Sequence, residues 1–294
     1  YYLLAIPYII FRGDPRGAVT IPLISNLITI ILGWKFLNLK HPMAANFFAI
    51  LYSISPLAIS ISSFPFHANL LPLITLLFII GLHQPGYSLI GWPLSALSSS
   101  LAYHFEPAAG VMLTLLLLFF TIPSLIQAKW PAKRSKVKIA LWSTFLFAIP
   151  FIPQLIFEFR HNFIQTKSVL SYFKGENTSL GGVLPLSKRL MERANKLFET
   201  LVYSILQTDF IDLKRTIFIV FSPVILIFLF LKKTFSQPHL PLHTLISRCL
   251  VFIIFHYLTY TFIFPAELKG WYPSGFIVIY LLPLSLVFER LWRI

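Results

Sequence analysis

Residues 108–128 read AAGVMLTLLLLFFTIPSLIQA, twenty-one positions without one charged side chain. A helix crossing the hydrocarbon core of a bilayer needs about 20 such residues, and in water that surface would have no cover. Similar runs recur along the chain. The same reading gives spans near 18–37, 43–62, 69–83, 87–102, 108–128, 139–157, 216–231, 249–264 and 274–290. The composition agrees: of 294 residues 57% are hydrophobic, 30 are Phe, and only 12% are charged, against roughly 25% in a soluble domain. The expected fold is all-α, a polytopic bundle of about nine membrane spans forming one transmembrane domain over residues 1–294.

The charge pattern orients this bundle. The net charge of +14 would suggest nucleic acid in a soluble protein. Among membrane spans it reads as topology signal and lipid contact, with no nucleic-acid partner. Short loops on one side carry Lys35, Lys40, the 129–138 cluster, Lys232, Lys233, Arg248, Arg290 and Arg293. Short segments on the other carry only Arg12, Arg16 and Lys269. Positive residues in short loops stay cytoplasmic, so the C-terminus is expected inside and the long loop 158–215 outside, in a plasma membrane. Tyr1 then also starts outside without a signal segment, from which we expect an earlier span to be missing. The lone cysteine, Cys249, allows no internal disulfide and reads as a small buried residue.

Within the long loop, residues 188–206 have an amphipathic pattern. Leu190, Ala194, Leu197, Phe198, Leu201 and Ile205 share one helical face, and Arg189, Glu192, Arg193 and Lys196 share the other. Such a helix lies in the membrane interface or packs on the protein's own outer surface. The apolar start, residues 1–11, is too short to span.

Polar residues gather at the outward ends. His104 and Glu106 in AYHFEP suit a divalent metal or the roles of acid and base; they equally suit a polar boundary, with Glu106 favouring the next helix start. Glu158, Arg160, His161 and Asn162 follow a span directly. Arg160 and His161 suit an anionic phosphate, while snorkelling anchors and a helix-ending Asn are the structural alternative. His67 and Asn69 sit in a short outward loop, Asn69 as a cap for the next helix. Lys269, Trp271 and Tyr272 read as an aromatic belt with a cation able to reach phosphate. Asn26, Asn46 and His256 lie within spans. Asn177-Thr178-Ser179 fits a glycosylation acceptor pattern. No Walker loop, dinucleotide fingerprint or zinc-type cysteine pattern occurs.

Four stretches resemble one family: YYLLAIPYIIFRGDPRGA (1–18), SPLAISISSFPFHANLLPLITLL (55–77), SSSLAYHFEPAAGVMLTLL (98–116) and IPQLIFEFRHNFIQTKSVLSYF (152–173). They are similar to multi-spanning GT-C type glycosyltransferases of the bacterial cell envelope, the branch of protein O-mannosyltransferases and aminoarabinose transferases. The resemblance implies a polyprenyl-phosphate sugar as donor and a glycan, lipid or protein acceptor on the outer face. It places donor phosphate near Arg160, His161, Lys269 and Tyr272, and leaves acceptor or metal positioning to His104 and Glu106. It assigns no cofactor with certainty, a divalent metal at that pair being the one candidate. The family's acidic base lies in the first outer loop. Asp14, in RGDPRG, is too close to the following span for that role, so the base is expected upstream of Tyr1 and this stretch alone is expected to be inactive. A transporter or flippase, or a ligase of lipid-linked sugars, is the competing class.

Overall fold

The computed structural model describes residues 2–83, 90–126, 133–173, 184–206, 241–264 and 275–292. Every regular element among them is helical. In chain order these are α1 (Tyr2–Ile10), α2 (Pro15–Asn38), α3 (Pro42–Ile54), α4 (Pro56–Ser62), α5 (Leu71–His83), α6 (Gly91–Phe105), α7 (Pro107–Ile126), α8 (Lys133–Ala148), α9 (Ile152–Arg160), α10 (Ile164–Phe173), α11 (Leu186–Ile205), α12 (Pro241–Phe262) and α13 (Ile277–Trp292). Single 3-10 turns precede α5 and α9. Several helices open on proline, whose missing N–H costs nothing at a helix start.

Three described stretches are long and apolar enough to cross a membrane: Pro15–Asn38, Val137–Arg160 and Leu245–Phe262. The pair Pro42–Ile54 and Pro56–Ser62, bent by 61°, makes a fourth if it is one span. His67–His83 and Pro107–Pro123 are shorter apolar helices. The expected span 216–231 lies outside the described residues.

The contacts divide the chain into two units, Tyr1–Leu76 with Asn195–Ile254 and Gly270–Ile294, and Leu77–Ala194 with Phe255–Lys269. In the first unit α2 and α3 form an antiparallel pair. The ring of Phe48, fully buried, lies where a Cβ on Gly33 would collide with it, so the helices meet closely only because position 33 is glycine. Two side-chain hydrogen bonds cross this pair. The Tyr52 hydroxyl donates to Asn26 Oδ1 at 2.5 Å, and Trp34 Nε1 donates to Asn46 Oδ1 at 3.0 Å. Asn26 Nδ2 also donates to the Pro22 carbonyl at 2.8 Å. Asn26 and Asn46, conspicuous within apolar spans, therefore act as interhelical ties. At one end of α3, His41 Nδ1 lies 3.1 Å from the buried Glu289 carboxylate of α13, and Phe47 packs on Phe288 and Trp292. At the start of α5, Leu71 fills the space beside Gly275, and the Thr75 hydroxyl donates to the Gly275 carbonyl at 3.3 Å.

The second unit holds α6 against α7 and α8. Gly110 of α7 meets the backbone of Tyr103, again too closely for any side chain. The Ser95 hydroxyl donates to the Phe78 carbonyl at 3.0 Å. The rod from Val137 to Arg160 buries almost none of its apolar window, as a helix coated by lipid would.

One assignment from the sequence is reversed here. Asn69 does not cap α5: the turn preceding that helix has no side-chain cap, and the buried Asn69 amide donates backwards to the Phe64 carbonyl at 2.8 Å. The carbonyl is held within the Phe64–Phe66 turn, where no helical N–H can reach it.

Candidate functional site

The boundary after α9 is built from local backbone geometry. His161 ends the helix, and Asn162 and Phe163 take left-handed φ values of 53° and 58°. Asn adopts that region readily, whereas Phe there is strained. The reversal carries the first amides of α10 over Glu158. The buried Glu158 carboxylate accepts from the Gln165 amide at 3.0 Å, the Thr166 amide at 2.9 Å and the Thr166 hydroxyl at 2.5 Å. It thereby fills the donors that a helix start leaves open and sits at the positive end of the helix dipole. Gln154 Nε2 reaches Gln165 Oε1 at 3.2 Å as a second tie.

His161 is held as well. Its ring stacks on Phe157 with centroids 4.0 Å apart, and Nδ1 lies 2.8 Å from the Phe157 carbonyl. A carbonyl only accepts, so the proton is assigned to Nδ1. Arg160 and Lys167 are exposed. Among the described residues no carboxylate pairs with Arg160. Around them Phe159, Phe163 and Ile164 are 69%, 43% and 55% exposed. Cations beside exposed apolar groups at the end of a span match an anionic headgroup layer.

His104 and Glu106 have different surroundings. Glu106 follows α6 in extended conformation and is buried, with the Ala108 amide donating to its carboxylate. Burial outweighs that bond and pushes its pKa up to about 7. His104 is exposed. Its ring lies 5.1 Å from Phe151, in the turn before α9, and it hydrogen bonds to the Pro150 carbonyl. Arg160 lies nine residues beyond Phe151, about 13 Å along a helix. Among the described residues no three of His, Cys, Asp and Glu converge on a space for a metal ion.

The residues that sequence reasoning misread are on α11. Arg189 and Arg193 lie on the charged face of the amphipathic pattern, yet Arg193 is 1% exposed. Its Nε donates to the Tyr260 carbonyl at 3.1 Å and an amino nitrogen to the Phe264 carbonyl at 3.2 Å; Glu192 is its ion-pair partner. Arg189 donates to the Thr261 carbonyl at 2.9 Å. Two guanidinium groups thus bind the carbonyls that α12 leaves open at its C-terminus, at the negative end of its dipole. The Tyr257 hydroxyl returns a bond to the Leu190 carbonyl at 3.3 Å. The buried His256 packs its ring against Tyr260, 4.6 Å away. The face of α11 that carries Arg193 is therefore packed, and Val202 on the opposite side is buried as well. A sequence signal existed: Thr200 and Ser204 continue the Arg193 face, and both are buried, as small hydroxyl residues are where helices pack closely.

Lys269, Trp271, Tyr272 and the 177–179 pattern lie outside the described residues. Compared with protein-family models, with curated proteins and with solved structures, the chain matches none.

Proposed function

We propose that this chain is the transmembrane domain of a glycosyltransferase that moves a sugar from a polyprenyl-phosphate donor to an acceptor on the outer face, with nine spans and α11 in the outer interface. The observation that carries the reading is the boundary at Arg160. Glu158 is engaged by the α10 amides, so among the described residues no carboxylate compensates the positive charge of Arg160 and Lys167 where a span ends. In the reaction an acceptor hydroxyl attacks the anomeric carbon, the carbon–oxygen bond to phosphate breaks, and the hydroxyl proton goes to a base. The lipid phosphate leaves with an added negative charge, which Arg160 stabilises, joined by His161 in its doubly protonated form.

The topology has support of its own. Four contacts, each inside one unit, join segments that the charge count assigns to the same side. His41 meets Glu289 on the inner side; Leu71 meets Gly275, His104 meets Phe151, and Arg193 meets Phe264 on the outer side. A register with one span fewer would separate some of these pairs by the membrane thickness.

The test is transfer of radiolabelled sugar from polyprenyl phosphate in membranes holding the protein expressed from its intact reading frame. Arg160→Ala is expected to lower transfer about 10- to 100-fold, the loss of a charge-assisted contact. Transfer unchanged by that substitution would remove Arg160 from the donor site, and no transfer by the unaltered protein would sink the enzyme reading. A second reading, a transporter of lipid-linked substrate, is favoured by one feature: the α3–α4 pair, bent by 61°, has the geometry of a broken span or a re-entrant loop, and transporters place broken helices at their substrate sites. Movement of lipid-linked sugar across vesicles without transfer would select it.

A further inference from the structure

Glu158 is the hub of the turn between α9 and α10. Its carbonyl accepts from the His161 amide at 3.2 Å and from the Phe163 amide at 2.9 Å. Its carboxylate accepts from the Gln165 amide, the Thr166 amide and the Thr166 hydroxyl. Five bonds therefore converge on one residue, itself 4% exposed. They close residues 158–166 into a ring.

A helix start does not need this arrangement. Asn, Asp, Ser or Thr directly before α10 would cap it locally. That position holds Phe163, which has no acceptor and sits at φ 58°. A bulky residue keeps such a backbone only where its surroundings impose it. Here a carboxylate five residues upstream does the capping, and the Phe163 ring packs on Phe159 with centroids 5.3 Å apart. The chain tolerates strain at position 163 and closes the turn from a distance.

The closed ring fixes cations. Arg160 lies inside it, two residues after Glu158. Lys167 follows Thr166 directly, and its amide donates to the Phe163 carbonyl at 2.9 Å. A backbone held at both ends loses little freedom when an anion binds to the side chains it carries, and a site gains affinity by such preorganisation. A local cap would hold α10 without closing the ring. We infer that Glu158 and Thr166 are positioning residues: by closing this turn they hold the backbone of Arg160 and Lys167 in place for the donor phosphate, without touching it. The inference rests on the reading of Arg160 as a donor contact.

The test measures the donor KM for transfer of radiolabelled sugar from polyprenyl phosphate, in membranes holding the protein expressed from its intact reading frame. Three proteins are compared with the unaltered one: Glu158→Ala, Thr166→Val, and Glu158→Ala combined with Phe163→Asn. The combined variant opens the ring and supplies a local cap in its place. A smaller folded population lowers the maximal rate and leaves KM unchanged, so KM separates positioning from stability. Glu158→Ala is expected to raise donor KM about tenfold. Thr166→Val, which keeps both amide bonds to Glu158, is expected to raise it about threefold. The combined variant is expected to regain thermal stability while its KM stays raised about tenfold. Recovery of KM together with stability would overturn the inference and leave Glu158 as a cap alone. Should Glu158→Ala fail to fold, Thr166→Val decides, and an unchanged KM there overturns the inference equally. Arg160→Ala is assayed alongside. Transfer lowered by Arg160→Ala, with KM unmoved by Glu158→Ala and Thr166→Val, removes this inference and keeps the enzyme reading; no transfer by the unaltered protein removes both.

Discussion

Asn26 in the first unit and Arg193 in the second are both buried polar side chains among apolar helices, and they are satisfied in different ways. Asn26 accepts from one hydroxyl on the neighbouring helix and donates to one carbonyl on its own. Arg193 reaches two carbonyls of a helix end and the carboxylate of Glu192. Glu158 does the reverse at a helix start, accepting from two amides and a hydroxyl. A neutral amide away from water needs one or two partners. A buried charge needs several convergent donors or acceptors and an opposing field. Helix termini supply both, because their open backbone groups point the same way and carry the dipole. Arg193 and Glu158 of the second unit fasten helix ends; Asn26 and Asn46 of the first fasten helix sides, beside the ionisable His41–Glu289 pair.

If that contrast is correct, Arg193→Met gives the largest loss, about 3–5 kcal/mol, because it removes the guanidinium from the Tyr260 and Phe264 carbonyls and breaks its ion pair with Glu192. Thermal unfolding of the purified protein measures it. Arg193→Lys is expected to recover less than half, since an ammonium lacks the guanidinium fork. Equal stability of Met and native proteins would show that the α12 terminus needs no guanidinium.

Glu106 sharpens the comparison, being a carboxyl at a helix start whose burial outweighs its bond with the Ala108 amide. Its pKa is raised from 4.5 to about 7, so the folded state binds the proton more tightly than the unfolded. Stability is then expected to fall as pH rises from about 4.5 to about 7 and to level off above, by at most about 3 kcal/mol. Glu106→Gln should flatten the profile over that window; an unchanged slope would mean the carboxylate ionises there without penalty.

Glu158→Ala is expected to cost about 1–2 kcal/mol, the size of a lost helix cap. Faster hydrogen exchange at the Gln165 and Thr166 amides, with the α12 end unaffected, would localise the loss. The smallest effect belongs to the neutral tie. Asn26→Leu should cost about 0.6–1.7 kcal/mol, and a double-mutant cycle with Tyr52→Phe should recover most of it as coupling. A coupling near zero would mean that Asn26 is held by the Pro22 carbonyl alone.

The long helices were legible because hydropathy and length are local counts. Pro15–Asn38, Val137–Arg160 and Leu245–Phe262 each overlap a span expected from the sequence. The role of Glu158 was not legible. Its partners Gln165 and Thr166 follow a chain reversal at Asn162 and Phe163, and only Asn162 announces such a turn. Asn69 failed for a related reason: its type marks a cap, but the direction of its bond depends on where the Phe64 carbonyl lies.

By itself, then, the sequence determined that this chain is helical and rich in apolar segments of membrane-crossing length, because those properties depend on residue type and period alone. Tertiary structure decided that the charged face of α11 is packed. Amphipathicity separates two faces without saying which has a partner. The open carbonyls at the end of α12 lie roughly 70 residues beyond Arg193 in the chain, and once they are near, satisfying them outweighs solvating the guanidinium.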